Sequence, residues 1–371
     1  MRNIGLDIAR SIAIVMVLIS HSRMFFTQYS DVQWLSFNGF FGVEIFFVLS
    51  GFLIGRIIIK SVVEKPSLSN LLTFYKRRWY RTLPLYFLMV FVLFLVGKQF
   101  HWTNLIFLQN FDDVSLGFFP VSWSLSIEEW FYLTVPFIFL VIFSFSKVKN
   151  KGLLFLGVTI LLLIFFNGIR VYEVIVNNPT WDYGVRKQIF LRLDSILTGV
   201  LIAGISVYYK KFYDLLKTSY LYVISIAGIL FCGYYYVIEL EAGKEIINSS
   251  FFGRTFLFSF VSLFFGLLIV ALEKTDFTNI KISKLFNFIS VTSYSVYLVH
   301  FELFLYLLKY NSNSVQRSVL LLIVSLVLTY VISHILYKYY EKPFMNLRDK
   351  KLFNKSESEN INLKQEQSNT L

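Results

Sequence analysis

Along this chain, long apolar runs alternate with short polar breaks rich in lysine and arginine. The runs fall at 7–26, 39–59, 82–97, 124–145, 153–170, 189–208, 219–238, 252–272, 286–308 and 317–339. A helix needs about 20 apolar residues to cross a hydrocarbon core, so ten such runs predict an all-α, polytopic membrane bundle of about ten transmembrane helices. A weaker patch, HWTNLIFLQN at 101–110, is too short to cross and is expected to be re-entrant or interfacial. The membrane domain is expected over 1–345. The remainder, 346–371, contains KSESENINLKQEQSN, lacks apolar periodicity and is expected to be a disordered cytoplasmic tail.

Composition agrees with the pattern: of 371 residues, 56% are hydrophobic and 19% aromatic, more apolar surface than a soluble domain needs. The first run is interrupted by Arg10 and lacks a small-x-small cleavage site, so it is expected to be retained as a helix. The formal charge of +12 raises the question of nucleic acid, but its distribution answers it. Basic residues such as Arg56, Lys60, Lys65, Arg77, Lys147, Lys149, Lys210 and Lys211 sit in alternate short loops, a topology signal and not a nucleic-acid stripe. Both termini are therefore expected on the cytoplasmic side of the cell's inner membrane. One cysteine, Cys232, offers neither a disulfide framework nor a cysteine metal site, and no metal is expected.

The chemistry lies in ionisable residues inside the apolar runs, which ordinarily face a bundle interior or a wet cavity. Arg10 and His21 are eleven positions apart, which puts them on one helix face roughly 16 Å apart along the axis, with Asp7 on the same face. The second run carries Glu44 and the small-residue face Ser50, Gly51 and Gly55, a spacing that packing alone explains. FYKRRWYRTLPLYF brings Arg77, Arg78 and Arg81 together; guanidinium forks suit phosphate, although plain cytoplasmic anchoring accounts for the composition. VSWSLSIEEWFYLTVP places Glu128 and Glu129 among apolar residues, where a carboxylate is costly, with Trp123 and Trp130 available to stack on a sugar. Arg192 and Asp194 could simply pair with each other or with Arg186, and His300 could be a satisfied core histidine. By depth, these residues form an outer layer of His21, Glu44, Glu128, Glu129, Asp194 and His300, and an inner layer of Asp7, Arg10, Arg77, Arg78 and Arg81.

Taken in order, Arg10 with His21, FFVLSGFL at 46–53, RWYR at 78–81, WSLSIEEWFY at 123–132, RLDSILTG at 192–199, SYSVYLVH at 293–300 and YYEKPF at 339–344 span nearly the whole chain. In this combination the chain resembles the acyltransferase-3 family of integral membrane O-acyltransferases, which acylate cell-surface glycans. The resemblance implies that Arg10 and His21 are essential and that Arg78 and Arg81, with Arg77 and Ser50 nearby, bind acyl-CoA. It also implies site-forming roles for Glu128, Glu129 and Asp194; Glu44, Trp123 and His300 are expected beside them, at the glycan, from their depth and chemistry. Trp130 departs from the polar residue often found after the acidic pair, which puts an acceptor contact at that position in doubt.

The implied reaction carries an acetyl group from cytoplasmic acetyl-CoA, past Arg10, to a hydroxyl of a surface polysaccharide or its lipid-linked precursor. His21 would be the general base and Glu128 or Glu129 would set its tautomer. Some family members carry a fused hydrolase-like domain; this chain ends about 30 residues after its last apolar run, so none is expected here. A transporter or flippase for a polysaccharide intermediate or acyl donor would use the same buried charges and is the alternative.

Overall fold

The computed structural model describes residues 3–111, 116–239, 246–312 and 314–347, and among them the chain is helical, with no strand. Ten apolar helices make the bundle: α1 (Ile4–Ser22), α2 (Ser36–Ile58), α3 (Leu68–Leu95), α4 (Trp123–Phe145), α5 (Lys151–Val176), α6 (Leu193–Tyr208), α7 (Thr218–Tyr234), α8 (Leu257–Lys274), α9 (Ile280–Leu308) and α10 (Val315–Leu336). Nine of these, some extended by adjoining turns, are long and apolar enough to cross a membrane; α6, with 16 residues, is the shorter tenth. It starts later than its apolar run because the chain reaches Arg192 in a non-helical conformation, with the guanidinium turned toward ion-pair partners in the interior. The patch at 101–110 forms one 3₁₀ turn, Trp102–Leu105, which does not cross. Of the expected tail, only Asn346 and Leu347 fall among the described residues, and both are helical.

The most buried helices are those that carry charge inward. The apolar stretch of α2 is 72% buried, whereas that of α10 is 17% buried and presents its sides outward. Helix α3 differs from expectation: the arginine-rich stretch and Pro84 lie inside one continuous helix that starts at Leu68, not at a break near 82. Proline removes one helical hydrogen bond. Around it, the Tyr294 and Tyr340 hydroxyls donate to the carbonyl oxygens of Thr82 and Pro84, so polar neighbours support the loosened backbone.

Helices α2 and α6 cross at glycine. A Cβ on Gly51 would lie 1.9 Å from the Ile196 carbonyl oxygen, and one on Gly199 2.1 Å from that of Val48. The small-residue face of α2 thus exists to meet α6 backbone to backbone. Gly51→Ala is expected to force the helices apart and cost about 1–3 kcal/mol or more, read as a lower melting temperature in detergent. An unchanged melting temperature would show that the crossing relaxes freely.

The two ends of the membrane domain meet. Asn3, Leu6 and Asp7 line one cavity together with Tyr337, Glu341 and Met345, so the start of α1 and the turn after α10 share one end of the bundle. This end is called proximal below and the opposite end distal.

Candidate active site

Three cavities follow one another from the distal to the proximal end. The distal one, about 550 Å³, is walled by His21, Arg23, Trp123, Asp182, Arg186 and Lys187, among others. A neck of about 90 Å³ follows, lined by Arg10, Ser50, Arg78, Arg81, Thr82 and Glu128. The proximal cavity, about 360 Å³, is lined by Asp7, Arg10, Arg81, Tyr337 and Glu341. Val43 and Tyr297 border both the distal cavity and the neck, while Arg10 and Arg81 border both the neck and the proximal cavity. Shared walls make the three spaces neighbours along a single line. Helix α1 spans it, with Arg10 at the lower junction and His21 in the distal wall, because eleven residues return a helix almost to the same face.

The tautomer of His21 follows from its neighbours. His300 Nδ1 lies 2.9 Å from the Val296 carbonyl oxygen, which can only accept, so this nitrogen carries the proton. In a neutral ring, His300 Nε2 is then an acceptor, and it lies 2.9 Å from His21 Nδ1. His21 therefore donates from Nδ1 and keeps an unprotonated Nε2, the arrangement of a general base. The expected partner was a carboxylate, Glu128 or Glu129; the structure puts the fully buried His300 there instead.

Both carboxylates of α4 are engaged in and beside the neck. Glu128 pairs with Arg78 at 3.0 Å and accepts from Ser50 at 3.2 Å and from the Tyr132 hydroxyl at 2.9 Å. Arg78 lies 4.1 Å above the Tyr132 ring, which fixes the guanidinium plane. Glu129 is buried and accepts from Thr82 at 2.8 Å. The two layers expected from depth thus meet at Arg78 and Glu128. Arg10 donates to the Ser290 hydroxyl at 3.1 Å, and Ser290 donates to Asp7 at 2.7 Å, which ties α1 to α9 at the lower junction. Arg81 is exposed in both lower spaces. Arg77 lines none of the three cavities, because on a continuous helix it falls on the far side of Arg81 from Arg78.

A family model described as an acyltransferase domain matches residues 3–338, nearly the whole of the described chain. The chain belongs to the acyltransferase-3 family. With nine apolar helices of crossing length, this acyltransferase-3 chain is a multi-pass membrane protein. Among its curated relatives, SACOL0978 of Staphylococcus aureus strain COL, provisionally named an O-acetyltransferase, is 27% identical over 369 residues, covering 92% of this chain and 57% of that protein. The O-acetyltransferase OatA of Staphylococcus aureus strain NCTC 8325 is 26% identical over 369 residues, covering 91% and 56%. The chain thus spans little more than half the length of these relatives. No solved structure matches it.

Two residues expected at a substrate surface of this acyltransferase-3 chain are placed elsewhere. Glu44 is ion-paired with Arg192 and accepts from Ser262, and Asp194 is paired with Arg170 at 2.9 Å and accepts from Ser259. All four charged side chains are at most 1% exposed and line none of the three cavities, since each carboxylate already has its guanidinium. They bolt α2, α5, α6 and α8 together. Trp123 does line the distal cavity, while Trp130 turns away and donates its indole N–H to the Phe107 carbonyl.

The distal wall also holds residues that were not expected. Trp181, Asp182 and Arg186 come from a π-helical turn, Trp181–Arg186, and Arg23 from the turn after α1. Such wide turns recur at functional sites. The sequence signal was available: TWDYGVRK concentrates charge and tryptophan in a loop on the side otherwise poor in lysine and arginine.

Proposed function

We propose that this chain is a membrane O-acyltransferase that moves an acyl group, most simply acetyl, from acyl-CoA to a hydroxyl of a surface polysaccharide or its lipid-linked precursor. The observation that carries the reading is an unprotonated His21 Nε2 on a residue lining the distal cavity, which shares Val43 and Tyr297 with the arginine-lined neck. Acyl-CoA would enter at the proximal cavity, with Arg81 and Arg10 toward its phosphates and the thioester reaching up the neck. Since cytoplasmic loops are the basic ones, the proximal end is assigned to the cytoplasm and the bundle to the inner membrane.

In the step itself, His21 Nε2 takes the hydroxyl proton as the oxygen attacks the thioester carbonyl carbon. The carbon–sulfur bond then breaks, its electron pair leaves on sulfur, and the imidazolium returns the proton to the thiolate. The products are an ester and free CoA, and the ring is neutral again. His300 accepts from Nδ1 throughout and so holds the ring and its charge.

The test is the reconstituted protein supplied with acetyl-labelled acetyl-CoA and cell-wall glycan. Label is expected in alkali-labile ester on the glycan, and Arg81→Ala is expected to raise KM for acetyl-CoA about tenfold with kcat little changed. Passage of intact glycan or donor across the vesicle without any new ester would establish the transporter instead.

A further inference from the structure

The charge balance of the distal cavity goes beyond what a neutral sugar requires. Among the described residues, four charged side chains line it: Arg23, Arg186, Lys187 and Asp182. The single carboxylate is consumed from both sides, with Oδ1 2.6 Å from Arg186 Nε and Oδ2 2.6 Å from Lys187 Nζ. Arg23, which lines the same cavity, donates to the neutral Gln33 amide at 2.6 Å, and no ion pair within 4.0 Å joins it to a carboxylate among the described residues. Among the described residues, a surplus of two positive charges therefore lines the cavity that holds His21.

This surplus is held in place, not left on flexible stems. The Arg186 guanidinium sits between the Trp123 and Trp181 rings, 4.8 and 5.3 Å from their centroids. Burial, and after it the neighbouring Arg186 charge, push the Lys187 ammonium below its usual range. Burial opposes the charge of Asp182 as well, yet Arg186 and Lys187 hold its carboxyl below the ordinary range. Cations crowded together out of bulk water are costly unless an anion joins them.

We propose that the acceptor of this enzyme is an anionic glycan, whose carboxylate or phosphate is held by Arg23, Arg186 and Lys187 while a hydroxyl of the same glycan reaches His21. The inference rests on the O-acyltransferase reading for the identity of the hydroxyl, but not for the charge. Arg23, on the turn that follows α1, and His21 line the same cavity, so an oxyanion and a hydroxyl of one glycan can be held in it together.

Binding is measured without any acyl donor, on the full chain in lipid nanodiscs, with two matched pairs of probes. One is a disaccharide containing glucuronic acid and its methyl ester; the other is a disaccharide monophosphate and its dephosphorylated form. At least one charged probe is expected to bind about tenfold more tightly than its neutral partner. That advantage should shrink at high salt and in Arg23→Gln, with Lys187→Gln as the second variant should the first fold poorly. The pair that shows it separates carboxylate from phosphate. Equal affinity within both pairs, or an advantage untouched by either variant, overturns the inference. Ester formation on neutral glycan as fast as on charged glycan overturns it too, while leaving the acyltransferase reading intact; charge-selective binding with no ester formed does the reverse.

Discussion

Replacing His21 with alanine is expected to lower acyl transfer by about 10²–10⁴-fold while leaving a folded, membrane-inserted protein. The loss is set by what the ring does: it is the base that the hydrogen-bond chain from the Val296 carbonyl through His300 leaves unprotonated at Nε2. The fold survives because His21 is only half-buried and its removal enlarges a cavity that is already present. His300 acts through His21, so His300→Gln, which keeps an acceptor, should retain more activity than His300→Leu and should move the pH profile of the rate. The checks are ester formation and the melting temperature, taken side by side. Transfer at the wild-type rate in His21→Ala would remove the mechanism altogether.

Glu44→Leu is expected to fail differently, by loss of the folded protein. Removing one partner of a buried ion pair leaves the other charge uncompensated, at about 3–5 kcal/mol, a large part of the stability a protein has to lose. Here the orphan is Arg192, wholly buried, with Asp194 4.0 Å from its Nε and already engaged by Arg170. Glu44→Leu combined with Arg192→Leu should recover part of the loss, because neither charge then remains alone. Size-exclusion profiles and melting temperatures in detergent read the outcome. Glu44→Leu with unchanged melting but raised KM would return Glu44 to the substrate surface, where the sequence pattern had suggested it.

Ten apolar helical segments, nine of them of crossing length, an all-helical fold and the expectation that α1 brings Arg10 and His21 to one face were all legible in the residues, because they depend on local quantities. Apolar run length against bilayer thickness and 100° per residue are properties of a single segment. The small-residue face of α2 was legible for the same reason, though not its partner Gly199, which lies across the bundle.

What only the tertiary structure decided was which ionisable group meets which. Glu44, Glu128 and Asp194 look alike in sequence, each a carboxylate in an apolar run. The difference is that Arg192 and Arg170 turn inward to two of them, while Glu128 meets Arg78 in the neck. His21 finds His300, 279 positions away, and the distal cations come from two turns with no apolar period to announce them. Inside a membrane a charge must find a partner or a wet space, and that choice is made by the packing of ten helices together, not by any one of them.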